Sequence, residues 1–128
     1  MIYGIGTDIV DCARFERMHT RYGMRLAERM LNEHEMPEYR AQSDCARFIA
    51  KRFAAKEAFA KAIGSGLREP VSLRRISIGH DSLGKPALRF DEILRRHIAQ
   101  LGIAGHHLSI SDEQNIVVAF VVLESAQP

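Results

Sequence analysis

The sequence predicts an α+β domain in which a mostly antiparallel sheet packs against one long helix and several shorter helices. Residues 2–10 are rich in Ile and Val, which indicates a buried strand at the start of the chain. Asp44 and Gly64 bracket a long stretch of helical periodicity as N-terminal cap and terminator. After Pro70, apolar and polar residues alternate, as is typical of strands. Helices that precede a run of strands favour the α+β class.

The composition indicates one globular domain over residues 1–128. The chain is 46% hydrophobic and 27% charged, with a net charge of +2. No apolar run approaches the roughly 18 residues of a membrane span, and residues 1–6 lack the features of a signal peptide. Cys12 and Cys45 are the two cysteines, too few for a disulfide framework or a four-cysteine zinc site. We expect a cytoplasmic protein that does not associate with membranes.

The first half of the chain carries signals for helix ends. Asp11 is expected to cap a helix, and Gly23 is expected to interrupt it before a second helical piece over 25–31. Pro37 predicts a broken, loop-like region over 32–43.

The second half predicts strands and one more helix. Residues 76–90 form a hairpin with a turn at 81–84, and Asp91 caps the helix that follows. Residues 107–111 alternate strictly. Residues 116–123 are almost wholly apolar, which predicts a strand that is central in its sheet or at an interface.

Two acids stand in apolar surroundings. Asp8 lies inside a buried strand, where a carboxylate is costly unless an arginine pairs with it or a metal binds it. Glu57 and Lys61 are one helical turn apart, and either an ordinary ion pair or a shared site explains them. Two carboxylates with waters and phosphate oxygens would suit Mg²⁺, and Lys56 and Lys61 would then neutralise phosphate.

Two further polar segments are candidate parts of a site. His107, Ser109 and Ser111 share one face of a strand, which either lines a site or faces solvent. The segment 64–66 has the composition to cradle an anion, although the phosphate-loop and dinucleotide patterns are absent.

Five arginines recur every three or four residues near the N-terminus: Arg14, Arg17, Arg21, Arg25 and Arg29. This spacing places them along one helical face, which is either solvated or binds an acidic partner or phosphate. A small basic module that binds RNA without catalysis is the alternative function. The few aromatic residues available for base stacking count against it.

Several segments, in this order along the chain, resemble the holo-[acyl-carrier-protein] synthase family, the small class of 4′-phosphopantetheinyl transferases. The resemblance covers essentially the whole chain and is carried by Gly4-Ile5-Gly6-Thr7-Asp8-Ile9-Val10, Arg52-Phe53-Ala54-Ala55-Lys56-Glu57-Ala58, Lys61-Ala62, Gly64-Ser65-Gly66, Gly84-Lys85-Pro86 and His107-Leu108-Ser109-Ile110-Ser111. The sequence departs from the family pattern at Asp112, where several relatives have a histidine. Any role of that histidine cannot be carried over to this chain.

The resemblance implies an enzyme that moves 4′-phosphopantetheine from coenzyme A to a serine of apo-acyl carrier protein, in support of fatty acid biosynthesis. The other product is adenosine 3′,5′-bisphosphate. By matching positions, Asp8 and Glu57 would bind Mg²⁺, Lys61 would contact the phosphates, and His107 would lie beside the pyrophosphate. Glu57, Lys61 and His107 are thus the candidate catalytic residues. Either Glu57 or a metal-bound water would remove the serine proton.

The resemblance also implies a homotrimer with active sites between subunits, and no nucleic-acid partner. The candidate contacts to coenzyme A are Lys61, Gly64, Ser65, Gly66, Lys85, Pro86 and His107. The carrier proteins that this family modifies present an acidic helix. We therefore expect the row of five arginines near the N-terminus to bind that helix. The candidate docking residues are Arg14, Met18, Arg21 and Arg25.

Overall fold

A computed structural model describes residues 1–126 and contains five strands and five α-helices over that range. Their bounds in chain order are β1 Ile2–Asp11, α1 Cys12–Tyr22, α2 Met24–Met30, α3 Met36–Arg40, α4 Cys45–Ile63, β2 Ile76–His80, β3 Pro86–Phe90, α5 Glu92–Gln100, β4 Ile103–Glu113 and β5 Ile116–Ser125. A short 3₁₀ turn, Leu73–Arg75, precedes β2. None of the helices in this range is long and apolar enough to cross a membrane.

The main sheet has three antiparallel strands in the order β1–β5–β4. Asp8 pairs with Ala119, which pairs in turn with Ile110 on β4. A second, two-stranded sheet is formed by β2 and β3, with Ile78 opposite Leu88. The structure therefore confirms the α+β class and the central position of the last strand.

The inner face of the main sheet packs against α4. Alternate residues of β5 are fully buried on this face: Val117, Ala119, Val121 and Leu123. On β1 the inner positions include Gly4 and Gly6, and a Cβ atom at either would overlap a carbonyl oxygen of α4, at Ala62 and Ala58 respectively. The strand lies directly on the helix backbone, so these two positions require glycine.

The long helix α4 begins and ends as predicted. The Asp44 side chain accepts a hydrogen bond of 3.1 Å from the Arg47 backbone N–H, and Gly64 ends the helix with φ +96°. Asp11 and Asp91 likewise cap α1 and α5 through their side chains.

The loop predicted over 32–43 is wrong in part, because the structure has the helix α3 there. Pro37 lies in its first turn, where a missing N–H costs nothing. Tyr39 of α3 is buried and forms a 2.7 Å hydrogen bond with the His19 ring of α1. Tertiary packing thus stabilises a helix of five residues that is too short to be stable alone.

Candidate active site

Asp8 and Lys61 form the first part of the candidate site. Side chains alternate along β1, so Asp8 points to the same side as Gly6, towards α4. Lys61 Nζ donates to Asp8 Oδ1 at 3.0 Å and to the Thr7 carbonyl oxygen at 3.0 Å. Asp8 Oδ2 is buried and has no hydrogen-bond partner among residues 1–126. The cation beside Asp8 is thus a lysine and not an arginine, and it satisfies one of the two oxygens.

Glu57 lies one turn before Lys61 on α4 and is half-buried. Burial raises the pKa of its carboxyl group, and the charge of Asp8 raises it further, while Lys61 and Arg14 act in the opposite direction. The two carboxylates are therefore close enough to repel each other. Within the described chain, no hydrogen bond or ion pair engages the Glu57 carboxylate.

Two neighbouring carboxylates, one with an unpaired buried oxygen, are an arrangement that a divalent cation would stabilise. In residues 1–126, no group of three or more His, Cys, Asp or Glu side chains is placed to hold a metal ion. A cation bound at Asp8 and Glu57 would need water or substrate oxygens as its remaining ligands, which is the usual situation for Mg²⁺.

Lys56 is not available for phosphate, contrary to the sequence-based expectation. Its ammonium group is fully buried and donates to Glu35 Oε1 at 2.6 Å and to the Met30 carbonyl oxygen at 2.8 Å. Burial lowers the pKa of Lys56 despite the Glu35 carboxylate. Arg52 donates to the other oxygen of Glu35 at 3.1 Å and to the Ile78 carbonyl at 2.8 Å. These charges join α4 to the segment before α3 and to β2.

His107 lies on the other face of the main sheet from Asp8. Asp8 shares its face with Ala119 and Ile110, and His107 is three residues from Ile110, so its side chain points the opposite way. The His107 ring is exposed and hydrogen-bonds Glu124 of β5. One chain therefore does not bring His107 to the carboxylate pair.

The structure does bring His107 together with two other predicted nucleotide contacts. Lys85, Pro86 and His107 line a cleft of about 210 Å³ between the β2–β3 turn and β4. Asp81 fixes that turn by accepting 2.9 Å hydrogen bonds from the backbone N–H groups of Leu83 and Lys85. Gly64, Ser65 and Gly66 lie instead at the end of α4, where both glycines have positive φ.

The predicted docking residues lie on α1 and α2. Met18 and Arg25 line a groove of about 590 Å³. Arg21 lies over the ring of Tyr22, 5.3 Å from its centroid, and Tyr22 also lines the groove. Arg14 lies in the first turn of α1, and its charge lowers the pKa of Glu57.

Residues 4–121 match the sequence profile of the 4′-phosphopantetheinyl transferase superfamily. The chain belongs to this superfamily. The holo-[acyl-carrier-protein] synthases of Nitrosospira multiformis and Nitrosomonas europaea are 54% and 55% identical to it, over 97% of this chain and 99% of each relative.

Solved structures of superfamily members share the fold over nearly all of the chain. The holo-[acyl-carrier-protein] synthase of Neisseria meningitidis superposes with a TM-score of 0.94 at 48% identity, covering 98% of this chain and 100% of that one. The Bacillus anthracis synthase in complex with CoA (3′,5′-ADP) has a TM-score of 0.80 at 38% identity, covering 98% of both chains.

Asp112 binds two basic side chains of the long helix. Arg47 and Lys51 of α4 lie 3.0 and 3.3 Å from its two oxygens. Partial burial raises the pKa of Asp112, but these two cations outweigh that effect and hold it below its usual value. Asp112 therefore links the end of β4, next to the β4–β5 turn, to α4 through two ion pairs.

The sequence did not single out Arg74. It belongs to the 3₁₀ turn before β2 and lines the same groove as Met18 and Arg25. It lies more than forty residues further along the chain than either, and no periodicity connects it to them. Only the packing of the 3₁₀ turn against α2 places it there.

Proposed function

We propose that this protein transfers the 4′-phosphopantetheine group of coenzyme A to a serine of apo-acyl carrier protein. The products are holo-acyl carrier protein and adenosine 3′,5′-bisphosphate, and the reaction serves fatty acid biosynthesis in the cytoplasm. Near full-length identity to holo-[acyl-carrier-protein] synthases supports this function. The structural observation that carries this proposal is that the carboxylates of Asp8 and Glu57 lie near each other beside Lys61.

Asp8 and Glu57 are the residues that would hold Mg²⁺. The unpaired buried oxygen of Asp8 and the repulsion between the Asp8 and Glu57 carboxylates both fit a hard dication at this position. When bound, the ion offsets negative charge on the phosphate oxygens. The phosphates of coenzyme A and water would supply the oxygens that these two side chains cannot.

Lys61 has the capacity to bind a phosphate oxygen. A lysine ammonium has three N–H donors, and the Thr7 carbonyl and Asp8 take two of them. The Lys61 side chain is 51% exposed, so the third donor is accessible. Its charge stabilises the negative charge that develops on the leaving phosphate.

Glu57 is the group of this chain best suited to accept the serine proton. In the absence of a bound cation, burial and the Asp8 charge raise its pKa. It has no hydrogen bond to another residue of the range 1–126 that would compete for its oxygens. The positioning of serine and phosphorus supplies the rest of the acceleration.

We further propose a homotrimer with active sites between subunits. The outer face of the main sheet exposes large apolar side chains, with Ile5 58%, Ile9 66% and Phe120 42% accessible. An apolar sheet face of this kind favours burial against another subunit. His107 lies on this outer face and the carboxylate pair on the inner face, so a neighbouring subunit is needed to unite them in one site.

Under this proposal, the nucleotide lies in the cleft of Lys85, Pro86 and His107 of one subunit and reaches Lys61 of the next. The segment 64–66 at the end of α4 lies close to the phosphates. The acidic helix of the carrier protein docks on α1 and α2. The residues that contact it are Arg14, Met18, Arg21 and Arg25.

Mass spectrometry tests the function directly. Apo-acyl carrier protein is incubated with coenzyme A, Mg²⁺ and this protein, and its intact mass is measured. We expect the carrier to gain one phosphopantetheine, and a carrier with its acceptor serine replaced by alanine to gain nothing. An unchanged mass for every apo-carrier tested, with folded protein, would refute the proposal.

A further inference from the structure

The groove beside Met18 combines an apolar floor with a basic rim. Its apolar part comes from α1 and α2: Met18, Tyr22, Leu26 and Met30. Three arginines border it, Arg25 and Arg29 from α2 and Arg74 from the 3₁₀ turn, against one acid, Glu28. Such a surface is complementary to an acidic amphipathic helix, whose apolar side chains enter the groove while its carboxylates meet the arginines.

The three arginines are free to bind a partner. In the part of the chain that the structure describes, none of Arg25, Arg29 and Arg74 takes part in an ion pair or a side-chain hydrogen bond. Neighbouring Arg75 differs, because Glu69 and Asp91 bind it at 3.0 and 2.8 Å. Arg74 is exposed, so a docking carboxylate meets little cost of desolvation there.

The groove is displaced along α1 from Arg14, whose charge acts on Glu57. Arg14 in the first turn of α1 interacts electrostatically with Glu57, whereas the groove begins with Met18 and continues into α2. The 11 residues of α1 alone extend about 16 Å. A helix that contacts Arg14 would therefore reach the groove, which Arg74 borders, with residues further along its length.

We propose that Arg74 is a docking residue for the carrier protein and binds a carboxylate on the part of its helix distant from the modified serine. This inference rests on the proposed function, which supplies the identity of the acidic helix. Arg74 then determines which carriers are accepted, through the charge at their distal helix end, and takes no part in the chemistry.

The experiment compares Arg74→Glu with Arg40→Glu. Arg40 is also exposed and without an ion pair among residues 1–126, but it lies on α3 and does not line the groove. Wild-type transfer to apo-carrier protein is measured first. Binding of fluorescently labelled apo-carrier protein, without coenzyme A, is then measured by anisotropy, together with KM and kcat for both substrates and the melting temperature.

We expect Arg74→Glu to weaken carrier binding and raise its KM roughly three- to ten-fold. The kcat and the KM for coenzyme A should be unchanged, Arg74→Gln should have a smaller effect, and Arg40→Glu should match wild type. Unchanged carrier binding by a folded Arg74→Glu variant would overturn the inference and leave the transferase function intact. A raised KM for coenzyme A would also overturn it. Absence of wild-type transfer would instead reject the proposed function.

Discussion

Lys61 of α4 and Asp8 of β1 are joined by a 3.0 Å contact between Nζ and Oδ1, which fixes the long helix to the edge strand at the candidate site. The same ammonium group donates to the Thr7 carbonyl oxygen. Because only one Asp8 oxygen is satisfied, the contact leaves Oδ2 buried and unpaired within residues 1–126. This relationship gives Asp8 a fixed position and a free ligand atom.

We expect Asp8→Ala and Glu57→Ala each to lower turnover at least about 100-fold while the melting temperature changes little. Each variant removes a carboxylate from the pair that would hold Mg²⁺. Turnover is measured across a Mg²⁺ titration, with Glu92→Ala on α5 as the control that should resemble wild type. Near-normal turnover of a folded variant at limiting Mg²⁺ would show that the metal assignment is wrong. Partial recovery at high Mg²⁺ would support it.

Arg14→Glu and Arg21→Glu are expected to raise the KM for carrier protein several-fold, because both oppose docking of an acidic helix. Steady-state kinetics, with carrier protein and coenzyme A varied in turn, measure the KM for each substrate, and the KM for coenzyme A should be unchanged.

Added salt should weaken the binding of carrier protein to the wild type until it approaches the affinity of the two variants. Normal carrier binding with impaired coenzyme A binding would assign these arginines to the nucleotide instead.

Phe120→Glu is expected to dissociate the proposed trimer and to abolish most activity. The change puts a charge in the middle of the exposed apolar face of β5 without touching the buried face. Sedimentation equilibrium gives the mass, and Ile93→Glu on α5 is the matched change at another exposed apolar residue. A wild-type monomer with full activity at micromolar concentration would exclude sites shared between subunits.

Glu35→Ala is expected to lower the free energy of unfolding by about 3–5 kcal/mol, since it leaves the charge of buried Lys56 uncompensated and removes one of the two carboxylates that bind Arg52. Urea unfolding at constant protein concentration measures the change. Glu33→Ala, two residues earlier and exposed, should change stability by less than about 0.5 kcal/mol. Equal effects of the two substitutions would contradict the role given to the buried network.

Asp112→Asn is expected to lower the free energy of unfolding by roughly 0.5–1 kcal/mol at neutral pH, because it removes the charge that Arg47 and Lys51 bind. The pKa of Asp112 is lowered in the folded state, so its contribution is present above the unfolded value and is lost as the pH falls through the folded pKa. Urea unfolding of both proteins between pH 7 and the acid range should show the difference vanish. A difference that persists in acid would mean that the carboxylate charge is not its cause.

The sequence by itself determined the elements whose signals are local. Asp11, Asp44 and Asp91 predicted three helix starts correctly, because a capping side chain acts on backbone groups two or three residues away. Strict alternation over 107–111 predicted the two faces of β4. The apolar run over 116–123 predicted a strand that is central or at an interface, and the structure shows β5 in the central place. The motifs around Asp8 and Glu57 predicted the family, which the match over residues 4–121 confirmed.

Tertiary structure decided what depends on residues distant in the chain. Lys56 and Lys61 lie on the same helix and carry the same charge. Lys56 is buried and binds Glu35, whereas Lys61 is partly exposed and binds Asp8. Their difference depends on which elements cover each side of α4, and no local pattern records that. The helix α3 around Pro37 and the place of Arg74 in the groove have the same origin. Burial and charge pairing are sums over neighbours in space, whereas propensities and caps act along the chain.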